Sequence, residues 1–399
     1  MLTRRELVLS WLRMGAGLAA GSAAGFLTGC VHHAGSHTGA ATGGIRGHGS
    51  LKAHASAQGL FVGAAVNVTL LRSEPEYSRT LADQYNMIVA ESAMKWGTLR
   101  PAPDRFSFDD ADELVAFAEQ HRMKVRGHTF VWHEAIPKWF ATTVTKENAR
   151  RFLTDHILTV GARYKGKIHS WDVVNEAVLP KDGRADGLRK SIWLELLGPD
   201  YIESAFRAAR QADPHALLAY NEYGVEYDSE EDEQRRAMIL QVIRRLKAAN
   251  APLDAVGIQA HIKAGYPYAI GKGVREFMAS AREMGLQVYL TELDVNEDDL
   301  PYNDVAQRDR AIAGVYRDCL TAVLSEPAVK AVLTWGVSDR HTWLNSGPTH
   351  KRKQPNRPQR SLPFDDNYLP KEAFFAIRES FGRRVITTNS QPTPASAQK

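Results

Sequence analysis

Short β-branched runs alternate with longer helical patterns through most of this sequence, and no break in composition divides them. The predicted strands are Phe61–Val66, Met87–Ala90, Lys124–Val131, Ile168–Asn175, Leu217–Asn221, Ala255–Gln259, Gln287–Leu293 and Ala331–Val337. The helical patterns between them include Asp109–Glu119, Ala149–Tyr164, Tyr201–Ala212, Glu230–Ala249, Val274–Met284 and Val305–Leu324. Eight strands, each followed by a helical stretch, predict an α/β protein with a single (β/α)₈ TIM barrel.

The alternative α/β architecture, a doubly wound open sheet, fits this sequence less well. Such sheets often carry a glycine-rich phosphate-binding turn after the first strand, and none follows Phe61–Val66. The alternating region exceeds the ~250 residues of a typical barrel, so long loops are expected on the C-terminal face, where barrel enzymes place their chemistry.

Residues 1–30 have the pattern of an export segment. Arg4 and Arg5 form a positive start that resembles a twin-arginine signal, and a weakly apolar run follows from Leu7 to Leu27. The run ends in Leu-Thr-Gly-Cys, which resembles a bacterial lipobox, in which Cys30 becomes the lipidated first residue. This pattern predicts an exported periplasmic or cell-surface lipoprotein, whose only membrane contact is the acylated cysteine. A plain signal peptide, giving a secreted protein, and a single membrane anchor are the alternatives.

The segments that flank the predicted barrel have compositions typical of unfolded chain. Residues 31–57 are mostly Gly, Ala, Ser, Thr and His, and so few large apolar side chains cannot offset the entropy lost on ordering. We therefore predict a flexible linker over residues 31–57, a catalytic barrel over residues 58–384 and a disordered tail over residues 385–399.

The composition excludes several function classes. The formal net charge of +4 is mild and is not gathered in one long basic tract, so no nucleic-acid partner is expected. Cys30 belongs to the export segment, and Cys319 lies in a predicted helix, where a small buried hydrophobe is the simplest interpretation. No cysteine or histidine spacing fits a metal site, so we expect neither a metal nor a cofactor.

Two glutamates stand at predicted strand ends. Trp171–Ala177 begins as an apolar strand and ends on Asn175 and Glu176, although burying an unpaired carboxylate is expensive. Glu292 occupies the same position at the end of the seventh predicted strand, across the barrel. Paired carboxylates are what glycoside hydrolysis requires: one protonates the departing oxygen, and the other attacks the anomeric carbon or activates water.

Aromatic and hydrogen-bonding side chains are expected at the same rim. The further polar or aromatic residues at or just after predicted strand ends are Glu91, Lys95, Trp96, His128, Trp132, His133, Asn221, Glu222, Gln259, His261, Asp294, Trp335, Asp339, His341 and Trp343. Flat aromatic rings can cover the apolar faces of sugars while amides and carboxylates bind the hydroxyls. Any one of these residues is more often an ion-pair, capping or packing residue. Their coincidence at nearly every strand end favours a carbohydrate-active site.

Five motifs resemble those of glycoside hydrolase family 10, the retaining endo-β-1,4-xylanases. They are Arg126–His133, Trp171–Ala177, Gly257–His261, Val288–Asp294 and Trp335–Asp339. The resemblance covers essentially the whole predicted barrel, with the motifs in the family's order. It implies endo-acting hydrolysis of β-1,4-xylosidic bonds, in xylan or xylo-oligosaccharides, with retention of anomeric configuration and without a cofactor. We also expect a monomer.

The resemblance implies a role for each matching residue. Glu176 would be the general acid/base, and Glu292 the nucleophile that forms a glycosyl-enzyme intermediate. Asn175 would bind the 2-hydroxyl of the cleaved sugar, while His261 and Asp294 would hold the nucleophile in place. The other implied substrate-binding residues are Glu91, Lys95, His128 and Trp132 on the non-reducing side, Gln259 near the acid/base, Trp335 and Trp343 around the cleaved sugar, and Tyr223 on the leaving-group side.

Two positions depart from the family's pattern. Ser92 stands where the family usually has asparagine, and Ala135 stands where it usually has glutamine. Losing two amide donors would weaken the non-reducing side of the cleft by about 1 kcal/mol each. The preferred backbone or decoration is therefore open. The alternatives are a retaining barrel glycosidase acting on another β-1,4-glycan and, from another class, a surface-anchored xylan-binding protein.

A basic stretch, His350–Arg360, follows the eighth predicted strand. One interpretation is that it contacts acidic glucuronyl side groups of xylan. The other is an ordinary solvated loop, which is the more common meaning of such a charge run.

Overall fold

Eight parallel strands close into a barrel in the computed structural model, which describes residues 45–346 and 350–384. With one short additional strand, the set is β1 (Phe61–Val66), β2 (Met87–Ala90), β3 (Lys124–Val131), β4 (Ser170–Asn175), β5 (Leu217–Glu222), β6 (Ala255–Ile258), β7 (His261–Lys263), β8 (Gln287–Asn296) and β9 (Val329–Thr334). Consecutive strands pair from β1 to β6, after which β6 pairs with β8, β8 with β9, and β9 with β1. The predicted TIM barrel is confirmed.

Helices surround the barrel in the predicted order. They are α1 (Leu51–Ser56), α2 (Val68–Ser73), α3 (Pro75–Gln84), α4 (Trp96–Leu99), α5 (Asp109–Gln120), α6 (Phe140–Thr143), α7 (Ala149–Arg163), α8 (Ile192–Leu197), α9 (Tyr201–Ala212), α10 (Glu230–Ala248), α11 (Lys272–Glu283), α12 (Val305–Leu324), α13 (Trp343–Ser346) and α14 (Glu372–Gly382). In α9, for example, Ile202, Ala205 and Ala209 are all buried, at the spacing that places them on one face of a helix.

Several predicted strand ends differ from the observed ones by one to three residues, and one strand was not predicted. For example, β4 begins at Ser170 rather than Ile168, and β8 continues to Asn296 rather than ending at Leu293. The eighth barrel strand ends at Thr334, three residues before the predicted end, because the chain turns at Gly336, whose φ is 126°. The short strand β7 was not predicted. It lies beside the C-terminal end of β8, where His261 is in register with Asp294.

Close backbone packing inside the barrel wall depends on small residues. A Cβ added at Gly127 would lie 2.0 Å from the Trp171 ring, which itself stacks on Phe130 with a centroid distance of 4.1 Å. Small side chains such as Ala65, Ala219 and Ala331 line the adjoining core cluster. The sheet can therefore close tightly around large rings.

The N-terminal boundary of the barrel was predicted too late. Residues 46–57, assigned above to the flexible linker, include helix α1, whose Leu51 and Ala55 are fully buried. Ser50 caps this helix by accepting the Ala53 N–H, and Arg378 of α14 donates to the Gly49 carbonyl. Leu51 and Ala55 are four residues apart and therefore lie on one face of the helix. This small apolar face is enough to dock a short helix, although the average composition of the segment is that of a linker.

The other predictions about the ends of the chain lie outside the described residues. These are the export segment, Cys30, residues 31–44 of the linker and the tail from residue 385 onward. Among the described residues, no helix is both long and apolar enough to cross a membrane, and no group of three or more His, Cys, Asp or Glu side chains could hold a metal ion. Cys319 is buried in α12, as predicted.

Long connections follow several strands at their C-terminal ends. Residues 132–148 separate β3 from α7, and residues 335–371 separate β9 from α14, with only short helices between. Residues 176–200 form a similar connection after β4. The predicted long loops therefore lie on the face where the strand-end residues converge.

Candidate active site

Glu176 and Glu292 lie at the C-terminal face on strands β4 and β8. Glu176 directly follows β4 and has a left-handed backbone, with φ of 57°. Glu292 lies within β8, and its side chain is 6% exposed against 15% for Glu176. A left-handed backbone is uncommon for a residue other than glycine and is found where the surrounding contacts impose it. Here it re-aims the carboxylate at the point where the strand ends.

Side-chain amides bridge the two carboxylates across β5 and β6. Asn175 Oδ1 accepts hydrogen bonds from Asn221 Nδ2 at 2.9 Å and from Gln259 Nε2 at 3.2 Å. Asn221 Nδ2 also donates to Glu292 Oε1 at 2.8 Å, and Gln259 Nε2 donates to Glu176 Oε1 at 3.0 Å. The amides therefore hold both carboxylates in one continuous network.

Asn221 is a residue whose role sequence reasoning missed. It was noted only as a polar strand end, and its position after a buried strand was the available signal. Its Oδ1 accepts a hydrogen bond from Thr291 Oγ1 at 2.8 Å, so every polar atom of its side chain is engaged. A Cβ at Gly257 would lie 2.0 Å from that same Oδ1, so glycine is needed there to let the amide reach Glu292.

A chain of three hydrogen-bonded side chains, His261, Asp294 and Trp343, supports Glu292. His261 Nε2 lies 3.2 Å from Glu292 Oε2, and His261 Nδ1 lies 3.0 Å from Asp294 Oδ1. Trp343 Nε1 donates to the second Asp294 oxygen at 2.6 Å. Burial opposes a charge on His261, but the adjacent Asp294 and Glu292 carboxylates raise its pKa well above the ordinary value. Both ring nitrogens then donate, one to each carboxylate.

The same contacts keep Glu292 ionised. Burial alone would raise its pKa, but the hydrogen bond from His261, electrostatic interactions with His128 and His261, and the hydrogen bond from Asn221 lower it below the ordinary glutamate value. A nucleophile must be deprotonated to attack, so this environment suits Glu292 for that task.

Because His261 lowers the pKa of Glu292, replacing it should change how kcat/KM depends on pH. In His261→Asn, burial is no longer offset by the imidazolium, so the pKa of Glu292 rises. The acidic limb of kcat/KM for an aryl β-xylobioside is therefore expected to move up by about one pH unit, the equivalent of one charge-assisted hydrogen bond. The variant therefore loses activity first at low pH. It keeps most activity at a pH above the Glu292 pKa of both the wild type and the variant. A pH–rate profile measures this.

Asp294→Asn provides the matched control for that profile. It leaves the imidazole in place but removes the charge that holds it protonated, so the same limb should move in the same direction by a smaller amount. A uniform fall in kcat/KM at all pH values, with an unmoved acidic limb, would contradict the role assigned to His261.

The predicted non-reducing side of the cleft lies on the opposite arc of the barrel. Lys95 Nζ lies 4.7 Å from the Trp132 ring centroid and 5.8 Å from that of Trp335. Burial lowers the pKa of Lys95, although Glu292 and Glu91 counteract it. Burial likewise raises the pKa of Glu91. These residues form a group of rings and charges near Glu292, at the rim where the strand-end positions predicted them.

His128 lies at the floor of this pocket. It is 2% exposed, its Nδ1 lies 3.0 Å from Asp172 Oδ2, and its ring meets Trp335 edge-on at 5.4 Å. Asp172 also receives a hydrogen bond from Arg126. The Nδ1 atom is thus engaged, and any contact of His128 with a substrate would come from Nε2.

Arg189 is a second residue that sequence reasoning missed. It lies in the loop between β4 and α8, where no sequence signal marks it. Its Nε donates to the Glu176 carbonyl at 2.8 Å, its Nη2 donates to the Tyr223 hydroxyl at 2.9 Å, and its backbone N–H donates to the Ala177 carbonyl at 2.7 Å. Arg189 Nη2 also lies 3.8 Å from Glu176 Oε2. These bonds hold the left-handed turn that aims Glu176.

Loss of the Arg189 contacts is expected to disturb the acid more than the nucleophile. In Arg189→Met, kcat/KM on xylan should fall by about tenfold or more, since a misplaced general acid loses much of its effect. The loss should be smaller on an aryl xylobioside with a good leaving group, which needs little protonation. Arg184→Met is the matched control, because Arg184 lies in the same loop and pairs with Asp186. Equal losses on both substrates would contradict this role.

The two positions that depart from the family's pattern lie at the pocket edge. Ser92 is exposed. Ala135 is left-handed, with φ of 52°, and its carbonyl accepts the Gly97 N–H at 2.8 Å. The neighbouring Glu134 carries a pKa raised by burial and by the charge of Glu176. This edge offers a carboxylate and a backbone turn in place of two amide side chains.

Most charges of the basic stretch are engaged within the chain. Arg360 pairs with Asp309 at 2.7 Å, Lys353 pairs with Asp299, and Arg357 donates to the carbonyls of Leu300 and Glu297. These contacts attach the stretch to the loop after β8 and to helix α12. For Lys353, Arg357 and Arg360 they favour the structural interpretation over contact with acidic side groups.

Comparisons with known proteins point to one family. The family model described as Glycosyl hydrolase family 10 matches residues 50–380. Endo-1,4-beta-xylanase B of Thermotoga neapolitana is 34% identical over 334 residues, which cover 82% of this chain and 90% of that protein. Endo-1,4-beta-xylanase B of Paenibacillus barcinonensis is 36% identical over 334 residues, covering 79% and 94%. The crystal structure of xylanase 10B from Thermotoga petrophila RKU-1 in complex with xylobiose has a TM-score of 0.74 and 34% identity, covering 84% of this chain and 97% of that one.

Proposed function

This chain belongs to glycosyl hydrolase family 10, and we propose that Glu292 and Glu176 carry out its retaining hydrolysis of β-1,4-xylosidic bonds. It is an endo-1,4-β-xylanase, acting within the xylan chain. The assignment of the two roles rests on one observation, the amide network that joins the two glutamates. At one end is Glu292, which its hydrogen bonds keep ionised, and at the other is Glu176, which is more exposed.

The first half of the reaction forms a covalent intermediate. A Glu292 carboxylate oxygen attacks the anomeric carbon while the carboxylic proton of Glu176 passes to the departing glycosidic oxygen. The bond from carbon to that oxygen breaks, and an ester bond to Glu292 forms. Asn175, placed by the amides of Asn221 and Gln259, binds the 2-hydroxyl of the sugar being transferred.

The second half releases the sugar. Glu176, now a carboxylate, takes a proton from water, whose oxygen attacks the same carbon from the face that the leaving group vacated. The ester bond to Glu292 breaks, and both glutamates return to their starting states. Because Glu292 is uncharged while esterified, Glu176 no longer faces a neighbouring carboxylate and can act as a base. Two inversions at one carbon give net retention.

Product analysis tests this function against the nearest alternatives. Xylan, β-1,4-glucan and β-1,4-mannan are each incubated with the enzyme, and the oligosaccharides and the anomer first formed are followed over time. Short xylo-oligosaccharides released first as the β-anomer are the expected result. Preferential release from glucan or mannan would instead assign another β-1,4-glycan, and initial α-anomers would exclude the double displacement.

We propose further that the enzyme is exported and acts as a monomer tethered through a lipid on Cys30. The support is the sequence pattern of residues 1–30, with its paired arginines, apolar run and terminal Leu-Thr-Gly-Cys. Expression in a bacterial host with labelled fatty acid should label the wild-type protein in the membrane fraction. The Cys30→Ala variant should carry no label, and equal labelling of both would exclude the anchor.

A further inference from the structure

The loop between β7 and α11 carries two neighbouring tyrosines on the catalytic face, of which Tyr268 is exposed and Tyr266 is half-buried. Tyr266 and Tyr268 have ring centroids 5.4 Å apart, and Tyr266 also packs against Tyr227 at 4.6 Å. Tyr268 is 48% exposed. Lys263, also exposed, places its Nζ 5.1 Å from the Tyr266 ring centroid. We call Lys263, Tyr266 and Tyr268 the tyrosine platform.

Hydrogen bonds from neighbouring loops anchor the tyrosine platform at both ends. The Tyr227 hydroxyl accepts the Lys263 N–H at 2.6 Å. Asp228 then donates its N–H to the Ala269 carbonyl at 2.8 Å and accepts the Gly273 N–H at 2.7 Å. The backbone of the loop is therefore fixed before any ligand arrives, and Tyr266 packs between Tyr227 and Tyr268, which reduces the entropy lost on binding.

The tyrosine platform continues the cleft away from the catalytic pair. Strand β7 begins at His261, which contacts Glu292, and Lys263 lies two residues, about 7 Å, further along it. The platform stands on the arc of loops that follow β5 and β6, the arc that also carries Tyr223. The rings of Trp132 and Trp335 occupy the other arc, after β3 and β9.

We propose that the tyrosine platform is a distal binding site for the leaving-group end of the xylan chain. This inference rests on the proposed function, because a polymer threaded through the catalytic centre must leave along one of the two arcs. The exposed Tyr268 ring and the uncovered part of the half-buried Tyr266 ring offer apolar surface to a sugar, and Lys263 offers a donor to its hydroxyls. Only a chain long enough to reach the rings gains from them.

Chain-length dependence tests the proposal in the Tyr266→Ala/Tyr268→Ala variant. Xylohexaose can extend to the platform, whereas an aryl β-xylobioside carries only a single ring as its leaving group. The ratio of kcat/KM for xylohexaose to kcat/KM for the aryl xylobioside should fall by about tenfold, the loss of two ring contacts. The bond cleaved in xylohexaose should also shift, since one binding register loses its support.

Three controls separate the outcomes. The Tyr266→Phe/Tyr268→Phe variant keeps both rings and should keep the ratio, and Tyr302→Ala removes an exposed tyrosine outside the platform and should also keep it. Tyr268→Ala alone covers the case in which the double variant does not fold. An unchanged ratio in the alanine variants, with normal wild-type hydrolysis, overturns the platform only. A wild-type enzyme inactive on both substrates overturns the proposed function itself.

Discussion

Glu292→Ala is expected to lower kcat on xylan and on aryl xylobiosides alike, by at least about 10⁴-fold. The covalent intermediate cannot form without the carboxylate, and removing a nucleophile costs this much or more in enzymes that form such intermediates. Good leaving groups do not help, because the missing step is attack at the anomeric carbon. Steady-state kinetics on both substrates measure the effect.

Two comparisons make the nucleophile assignment specific. A 2-deoxy-2-fluoro xylobioside with a good leaving group should label a wild-type peptide containing Glu292 and should not label the variant. Glu222→Gln is the matched control, because Glu222 is also a buried strand-end glutamate, at the end of β5, but its Oε1 accepts from the Val178 N–H and the Tyr220 hydroxyl. Burial raises the pKa of Glu222 to about 7, so a neutral amide is a fair substitute. Full activity of Glu292→Ala would refute the assignment.

Glu176→Ala is expected to show a loss that depends on the leaving group. On xylan, whose leaving oxygen needs a proton, kcat/KM should fall by about 10²–10⁴-fold. On an aryl xylobioside with an acidic phenol the first step should proceed nearly normally, and the intermediate should accumulate because no base activates water. Azide, which needs no deprotonation, should restore turnover of that substrate and give the β-xylosyl azide.

The azide product separates the acid/base from the nucleophile. Rescue in Glu176→Ala should give retained configuration, because the intermediate on Glu292 has already inverted the carbon once. Rescue in Glu292→Ala, by contrast, should give an inverted azide. If the Glu176→Ala variant shows neither azide rescue nor dependence on the leaving group, Glu176 is not the acid/base.

The barrel was predictable because the sequence alternates between apolar runs typical of buried strands and the repeat typical of helices. Buried parallel strands have continuous apolar runs, and helices such as Tyr201–Ala212 and Val305–Leu324 were predicted to the residue because their buried faces repeat with the period of a helix. The local sequence pattern failed to predict two elements, α1 and β7, whose formation depends on contacts with other parts of the chain. Helix α1 has too short an apolar face to stand out, and β7 has three residues whose pairing depends on an extension of β8.

The sequence predicted which residues lie in the candidate site better than it predicted the hydrogen bonds between them. Strand-end position alone placed Glu176, Glu292 and Gln259 at one rim, since the C-terminal ends of parallel strands meet at one face. The same reasoning listed Asn221 but could not show that it donates to both Asn175 and Glu292.

The sequence by itself determined the strand order, the face on which the strand-end residues lie and the two glutamates that we propose as catalytic. Only the tertiary structure decided which neighbours charge and orient them. Asn221 donates to Glu292 across 71 residues, Arg189 donates to the Glu176 carbonyl, and Tyr266 packs against Tyr227. The physical reason is that periodicity specifies the direction in which each side chain points, whereas its contacts depend on how strands distant in sequence close into one barrel.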